Sequence, residues 1–237
     1  MDAQQEAKFA HWIPLESNPE ILTEFIHRLG VSEQWAFSDC YGFDDELLAM
    51  VPQPCIGLLF LFPSSKMKTK KEEEAKRIAE KGQTVSDNLY FMKQLVGNQC
   101  GTVGVIHAVL NALGQISLKE DSPLDKFYKA TKPEADPKKR GELLGRDAGI
   151  EQVHKDMATQ GQTEAPDAES KIDLHFICMT HVDGHLYELD GRKAFPINHG
   201  TTTPETFLKD ATALFKREWV DTNPDEVNFS ILTLGPN

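Results

Sequence analysis

An unbroken apolar run, PCIGLLFLFP at residues 54–63, constrains the fold more than any other part of this chain. The run is short, lies between two prolines and shows no alternation of polar and apolar residues. Such a pattern is typical of a strand that is buried on both faces. The sequence therefore predicts a sheet that has residues 54–63 at its centre.

Helical and strand patterns surround this run, and they predict a mixed α and β protein. Residues 19–29 have apolar positions at helical spacing and end at Gly30, a good helix-stop residue. Two β-like runs at residues 172–191 meet at Asp183 and Gly184, a strong signal for an antiparallel hairpin. Further helices are predicted at residues 65–82 (or a flexible connector), 123–130, 137–145 and 203–219, and a final strand at residues 226–234.

The composition is that of a soluble protein with an acidic balance. Its 25 Lys and Arg residues against 37 Asp and Glu residues give a formal charge of −12. This charge argues against nucleic acid as a partner and suits a basic peptide or protein surface, although solubility alone also explains it. No apolar run approaches the ~20 residues that cross a membrane. The polar start shows no secretory signal, so we expect a cytoplasmic location, to which a nuclear one could be added.

A long surface loop is predicted at residues 146–171, with few apolar residues and many Gly, Gln, Thr and acidic residues. Loops of that length inside compact domains often carry function. No repeat or low-complexity linker interrupts the chain, and we expect a single domain over residues 1–237.

Cys100 stands where a polar segment becomes an apolar helical pattern. The free N–H groups and the dipole of a first helical turn favour the thiolate, which is the nucleophilic form of cysteine. Gly101 and Gly104 would let a substrate backbone come close. An unpaired cysteine is also among the most frequently buried residues, so this segment alone leaves a small, inert core residue as the alternative.

A thiolate needs a base, usually histidine, and the base needs an acceptor that orients it. Strand alternation puts His175 on one face with Ile177 and Met179, an unusual place for a solvated histidine. Antiparallel pairing about the hairpin turn brings Asp190, at the end of the second strand, close to His175. These two residues are therefore candidate partners of Cys100, although other carboxylates fit the sequence equally well.

No metal or cofactor site is predicted. His181 and His185 flank the hairpin turn, but no third ligand is spaced with them, and hairpin histidines are commonly exposed. His107, within the helix after Cys100, is better explained as a histidine of the core. The four cysteines lie far apart and form no CxxC pair, so neither a disulfide framework nor a four-cysteine zinc site is expected.

Four stretches of the sequence resemble the ubiquitin carboxyl-terminal hydrolases, a family of papain-like deubiquitinases, and in particular their short isozymes. They are HWIPLESNPE (residues 11–20), YGFDDELLAMVPQP (41–54), KQLVGNQCGT (93–102) and LHFICMTHVDGHLYELDGRKAFPINHG (174–200). The resemblance covers nearly the whole chain. It implies an α/β (α+β) papain-like sandwich: a central antiparallel-rich sheet flanked by helices, a knotted backbone and an active-site crossover loop at about residues 150–170.

The resemblance also implies a cysteine protease that hydrolyses the bond after the C-terminal glycine of ubiquitin. Cys100 would be the nucleophile, His175 the general base and proton donor, and Asp190 the residue that orients His175. Gln94 would donate its side-chain amide to the oxyanion, a contact worth ~3–4 kcal/mol per donor. No metal or cofactor takes part.

Ubiquitin contacts are implied in three segments: one near the start of the chain, the crossover loop and one near its end. The loop would exclude folded leaving groups and favour small adducts and short or disordered tails. The basic tail of ubiquitin gives the acidic chain a specific partner. The implied contact residues are Pro14, Leu15, Glu16, Ser17, Asn18, Pro19, Ala158, Thr159, Gln160, Gly161, Gln162, Thr163, Glu164, Ala165, Glu226, Val227, Asn228 and Phe229.

Two other functions stay open on the sequence. The first is a ubiquitin-binding reservoir with low turnover, since a complete set of catalytic residues can be misaligned without substrate. The second is a hydrolase that also acts on the related modifier Nedd8. In either case we expect a monomer that binds no nucleic acid or membrane.

Overall fold

The computed structural model describes residues 11–161 and 172–237, with only the backbone of residues 67–71. Its helices are α1 Pro19–Leu29, α2 Asp45–Leu48, α3 Lys68–Lys81, α4 Cys100–Leu110, α5 Pro123–Thr131, α6 Pro137–Leu144, α7 Ala148–Ala158 and α8 Phe207–Phe215, which a π-helical turn, Lys216–Val220, continues. Its strands are β1 Trp35–Asp39, β2 Gly57–Pro63, β3 Leu174–Val182, β4 His185–Leu189, β5 Ile197–Thr201 and β6 Ser230–Pro236. None of the helices in this described part is long and apolar enough to cross a membrane.

The strands form one sheet in the order β1-β6-β2-β3-β4-β5, and every pair of neighbours is antiparallel. The run predicted as the central strand is β2, which lies between β6 and β3. All of its residues are buried except Leu61, which is partly buried. The prediction of an inner strand is therefore confirmed.

Two apolar clusters cover the two faces of this sheet. Leu59 of β2 points into the larger cluster, to which α1 and α4 contribute. Its neighbours Leu58 and Phe60 point into the second cluster, which contains α8. There the ring of Phe60 stacks on that of Phe215 with centroids 4.1 Å apart and planes 5° apart. A strand with apolar side chains in both clusters has no face for water, which explains why its sequence does not alternate.

The predicted hairpin is formed by β3 and β4. Val182 pairs with His185 across a turn in which Asp183 and Gly184 have φ angles of 48° and 76°. Two residues with positive φ make the turn that matches the twist of a hairpin, and Asp-Gly is a preferred sequence for it. The register that follows from the turn pairs residue 178 with residue 189.

The first predicted helix is also confirmed as α1. The side chain of Asn18 accepts hydrogen bonds from the N–H groups of Glu20 and Ile21, and Pro19 occupies the first turn. At the other end Gly30 has φ 109°, a left-handed conformation that glycine adopts without strain.

The long loop predicted at residues 146–171 is wrong over its first part, which forms α7. Asp147 caps this helix by accepting the N–H of Ile150 at 2.9 Å. Ile150, His154 and Met157 are fully buried and lie on one face of the helix. This buried stripe has a histidine at its centre and lies among polar residues, a pattern too weak to indicate a helix.

The crossover loop is therefore shorter than the predicted residues 150–170. The described part of it is residues 159–161, and the rest of the prediction, including Gln162, Thr163, Glu164 and Ala165, lies outside the described residues. The final strand is shorter too: it begins at Ser230, not at Glu226. Phe229 precedes the strand because its ring packs against those of Phe43 and Phe215.

The stacking of Phe60 on Phe215 in the second cluster predicts a large loss of stability when the side chain of Phe60 is truncated. Phe60→Ala should lower the free energy of unfolding by ~3–5 kcal/mol, because it removes a fully buried ring and leaves a cavity. Phe195→Ala, at a ring that is 36% exposed, is the matched control and should cost about 1 kcal/mol or less. Urea titration of both variants measures the difference. Equal losses in the two variants would contradict the stacked arrangement.

Candidate active site

Cys100 is the first residue of α4, and the packing of this helix fixes its position. Every residue of α4 is buried, including Cys100 itself at 8% exposure. Glycines on its sheet-facing side allow close contact: a Cβ atom at Gly104 would lie 3.2 Å from Leu59 Cδ2. As a residue of the first turn, Cys100 has a backbone N–H with no partner inside the helix.

His175 and Asp190 meet at the ends of the hairpin strands. His175 Nε2 lies 2.7 Å from Asp190 Oδ1, and neither side chain is exposed to solvent. A carboxylate only accepts, so Nε2 carries the proton. The N–H of Arg192 also donates to Asp190 Oδ1, at 2.9 Å, and holds the carboxylate in place.

The other ring nitrogen of His175 is available to the thiol. Nδ1 is buried and has no hydrogen-bond partner of normal geometry among the described groups. Cys100 and His175 nevertheless interact strongly enough for each to shift the pKa of the other. The structure thus brings three predicted catalytic residues together in the order thiol, imidazole, carboxylate.

Burial and the neighbouring groups shift the pKa values of Cys100 and His175 in opposite directions, and the effect of the neighbouring groups is the larger one. Burial raises the pKa of the Cys100 thiol, but the His175 imidazole, the backbone amide of Phe176 and the charge of Arg192 bring the pKa below its ordinary value. Burial lowers the pKa of His175, but Asp190 and Cys100 bring it above its ordinary value. Opposite shifts in two contacting groups favour the thiolate–imidazolium ion pair.

Gln94 lies beside the loop that follows Asp190. Its backbone N–H donates to the carbonyl of Gly191 at 2.9 Å, and its Nε2 donates to the carbonyl of Val96 at 3.0 Å. An amide nitrogen has two hydrogens, so one more acceptor can bind there. Lys93 strengthens the same connection by donating to the backbone carbonyls of Arg192 and Lys193.

An apolar pocket of about 210 Å³ opens beside Cys100. Four of the predicted ubiquitin contacts, Pro14, Leu15, Glu16 and Ser17, line one wall, and Ala158 of α7 lines another. The remaining lining residues are Leu61, Gly101, Ile172, Leu174 and Phe176. Five segments of the chain, at residues 14–17, 61, 100–101, 158 and 172–176, therefore form one cavity beside Cys100.

Gly161, another predicted contact, lies against Glu16 of the pocket wall, whereas the following predicted contacts do not line the pocket. Asn18 and Pro19 begin α1, where they have the structural roles described above. Val227 is 79% exposed, whereas Glu226 and Phe229 line a separate small cavity with Trp219. The side chain of Ser17 is 2.5 Å from that of Ser230, so the first segment touches the start of β6.

A family model described as ubiquitin carboxyl-terminal hydrolase, family 1, matches residues 12–219 of the chain. The chain belongs to this family. It is 43% identical over 234 residues to ubiquitin carboxyl-terminal hydrolase 3 of Arabidopsis thaliana, covering 98% of this chain and 97% of that protein. It is 42% identical over 222 residues to isozyme L1 of Homo sapiens, covering 93% and 96%.

A solved structure supports the fold of this hydrolase. The catalytic domain of Trichinella spiralis UCH37, bound to ubiquitin vinyl methyl ester, matches with a TM-score of 0.74 at 23% identity over 97% of both chains. The family, the papain-like α/β fold and the enzyme class predicted from the sequence, a thiol-dependent deubiquitinase, are thus confirmed. The knotted course of the backbone stays a prediction.

One charged cluster in the hydrolase was not predicted. Glu74, Glu188 and His199 lie close enough to hold a metal ion. Lys193 already supplies a cation there: its Nζ lies 2.6 Å from Glu188 Oε1 and also contacts Glu74. His199 Nε2 lies 3.0 Å from the other oxygen of Glu188. This geometry explains the cluster as an ion-pair network that attaches α3 to the sheet, and the expectation of no metal stays a prediction.

Arg192 and most of the apolar lining of the pocket were not predicted from the sequence either. Arg192 contributes twice, through its backbone N–H to Asp190 and through its charge near Cys100. Its place two residues after Asp190 was the available signal. Leu174 and Phe176 flank His175 along β3, and their alternation was the corresponding signal for the pocket wall.

The ion pair predicts how alkylation of Cys100 depends on pH. Because its pKa is lowered from the ordinary 9.0, the rate of reaction with iodoacetamide should level off below that pH. His175→Gln removes the imidazole that offsets the effect of burial on the thiol, so the thiol pKa should rise above 9.0. The rate of alkylation at pH 7 should then fall at least ~10-fold. Peptide mass mapping gives the rate at each cysteine.

Two controls accompany this measurement. His181→Gln changes a half-buried histidine on the hairpin and should leave the profile unchanged. Cys178 is fully buried with a raised pKa, so its peptide should stay unlabelled while the protein is folded. An unchanged Cys100 profile in His175→Gln would contradict the ion pair.

Proposed function

We propose that this protein hydrolyses the bond after the C-terminal glycine of ubiquitin through an acyl-enzyme on Cys100. The observation that carries the proposal is the buried hydrogen bond between His175 and Asp190, with the other nitrogen of His175 next to the Cys100 thiol, whose pKa is lowered. Nucleophile, base and orienting group in this order are the requirements for acyl transfer. Family membership supports ubiquitin as the acyl donor.

The proposed reaction begins from the thiolate–imidazolium pair. The sulfur of Cys100 attacks the carbonyl carbon of the terminal glycine and forms a C–S bond, and the carbonyl oxygen becomes an oxyanion. Collapse of this intermediate breaks the bond to the leaving amine, which takes the proton from Nδ1 of His175. Asp190 keeps the remaining proton on Nε2 and so holds the ring in the tautomer that the next step needs.

Deacylation reverses the direction of proton transfer. Neutral His175 takes a proton from water at Nδ1 while the water oxygen attacks the thioester. Loss of the thiolate then releases ubiquitin as the carboxylic acid, which gives its proton to water and becomes the carboxylate, and the ion pair is restored. In both halves the second N–H of Gln94 and the free N–H of Cys100 are the proposed donors to the oxyanion, a role in which one donor is worth ~3–4 kcal/mol.

The proposed substrates are small adducts and short or disordered tails. The cavity beside Cys100 has a volume of only about 210 Å³, and residues 14–17 and Ala158 of α7 border it. A substrate chain therefore passes it in extended form, and a folded leaving group does not. The formal charge of −12 favours the basic tail of ubiquitin. Residues 14–19, 158–165 and 226–229 remain the proposed contact segments. A cytoplasmic monomer is likewise a proposal.

An electrophilic ubiquitin tests the substrate class directly. Ubiquitin with a vinyl ester at its C-terminus should form one covalent adduct at Cys100, found by intact mass and peptide mapping. The adduct should be absent in Cys100→Ala and at least ~10-fold slower in His175→Gln. Cys178→Ala is the matched control and should react like the natural chain.

The same experiment separates the alternatives. Binding of ubiquitin without an adduct would replace our proposal with the reservoir function. Faster capture of the corresponding Nedd8 probe in a competition would identify Nedd8 as the preferred modifier and would leave the proposed mechanism unchanged.

A second test decides which glutamine supports the oxyanion. Gln94→Ala should lower kcat for a fluorogenic ubiquitin amide by ~10²–10³ with little change in KM, because the donor acts only on the developing charge. Gln99 is nearer in sequence, and both polar atoms of its buried amide lack a partner among the described groups, so Gln99→Ala is the comparison. A larger loss of kcat in Gln99→Ala would assign the donor to Gln99.

A further inference from the structure

His154 is a fully buried histidine on α7 that takes no part in the proposed reaction. Its Nδ1 lies 2.7 Å from Thr102 Oγ1, and its Nε2 lies 2.6 Å from the backbone carbonyl of Ile13. The ring packs against Trp12 with centroids 4.5 Å apart and meets the edge of Phe25 at 6.4 Å. Both nitrogens and the faces of the ring are therefore occupied.

The partners define the protonation state of this ring. A carbonyl oxygen only accepts, so Nε2 carries the proton and donates it to Ile13. Nδ1 then has a free lone pair, and the hydroxyl of Thr102 donates to it. Burial lowers the pKa of His154 to about 4, so the ring is neutral at physiological pH and keeps this single tautomer.

Each group that His154 joins lies next to a wall of the pocket beside Cys100. Ile13 immediately precedes the wall formed by residues 14–17, and Thr102 is two residues beyond Cys100. His154 itself lies one helical turn before Ala158, the wall contributed by α7. One imidazole thus connects three segments that are distant in sequence and that the pocket needs in register.

A second contact, between Gly161 and Glu16, joins the residues after α7 to the wall formed by residues 14–17. A Cβ atom at Gly161 would lie 2.1 Å from Oε2 of Glu16, so the start of the crossover loop passes directly over the N-terminal segment. The N–H of Trp12 also donates to the carbonyl of Gly97 at 3.0 Å. Of the two hydrogen bonds of His154, the one with Thr102 is buried and the one with Ile13 is partly buried.

We propose that His154 is a positioning residue that holds three of the walls of this pocket, residues 14–17, the start of α4 and the end of α7, in register and thereby sets how tightly the substrate tail is held. It acts through Ile13, Thr102 and α7 and does not touch the reacting atoms. The part of the proposal that concerns the tail rests on the proposed function. The part that concerns the locking of the walls stands on the geometry of His154 alone.

Kinetics of His154→Gln test the first part. Glutamine can keep one of the two hydrogen bonds but not both, so KM for a fluorogenic ubiquitin amide should rise ~10-fold while kcat stays within about 2-fold. The pH profile of Cys100 alkylation should not change, because the ion pair with His175 is intact. The matched control is His27→Gln, since His27 donates through Nε2 to the carbonyl of Trp35 at 2.8 Å on the far side of α1.

A purely structural role predicts a different pattern. An unchanged KM, with or without a lower melting temperature, would overturn the proposal. Equal losses in kcat and in the alkylation rate would also overturn it, because they would show an effect on the thiolate.

Thr102 provides a milder pair of variants in case His154→Gln does not fold. Thr102→Val keeps the shape of the side chain but removes the donor to Nδ1, and it should raise KM in the same direction. Thr102→Ser restores a hydroxyl and should return KM to within about 2-fold of the natural chain. Equal KM values for the valine and serine variants would overturn the proposal.

Hydrogen exchange tests the locking without any substrate. In His154→Gln the amides of residues 12–17 and 155–161 should exchange ~10-fold faster, while those of β2 and β3 stay protected. Unchanged exchange in both segments would overturn the locking. A natural chain that fails to turn over the ubiquitin amide would refute the proposed function instead, and the exchange result would then decide the role of His154 by itself.

Discussion

The close packing of α4 on the central strands is the contact on which the rest of this structure depends. A Cβ atom at Gly57 would lie 3.2 Å from Ala108 Cβ, and one at Gly104 would lie 3.2 Å from Leu59 Cδ2. Helix and sheet therefore meet without spare room at two points along α4, and protein cores of this density do not deform continuously. Cys100, at the first residue of the helix, has a fixed position relative to β3. The strand β3 carries His175, so the fold sets the position of the Cys100 thiol relative to the His175 imidazole.

The other cysteines show how much the position of Cys100 matters. Cys55 is equally buried, and burial raises its pKa to about 12. Cys178 lies on the same strand as His175 and is fully buried, and its pKa is raised as well. Cys100 is also buried, but its pKa is lowered, because it faces an imidazole whose own proton is held by a carboxylate. The lowered pKa of this thiol therefore comes from its partners, whose effect on the pKa is larger than the opposing effect of burial.

This contrast also explains what the sequence could and could not predict. The hairpin follows from residues 183–184 because turn chemistry is local, and its register then brings His175 and Asp190 together. The roles of these residues came from the resemblance to a family, since several carboxylates fit the pattern. Helix α7 was missed because its stripe depends on His154, whose hydrogen-bond partners are 52 and 141 residues away in the sequence. A histidine becomes a core residue only when such distant partners are present, and no periodicity reveals them.

Two parts of the site are thus built in different ways. The thiolate, the imidazole and the carboxylate lie on α4, β3 and the end of β4, elements that the central packing holds rigidly. The pocket beside Cys100 takes walls from residues 14–17, the start of α4 and the end of α7 as well as from β2 and β3, and the hydrogen bonds of His154 join the first three of these segments. Two elements connect these parts: the first turn of α4, to which Cys100 and Thr102 belong, and β3, where Leu174 and Phe176 flank His175. A change that loosens the pocket can therefore weaken substrate binding while the ion pair persists, whereas a change that moves α4 must affect both.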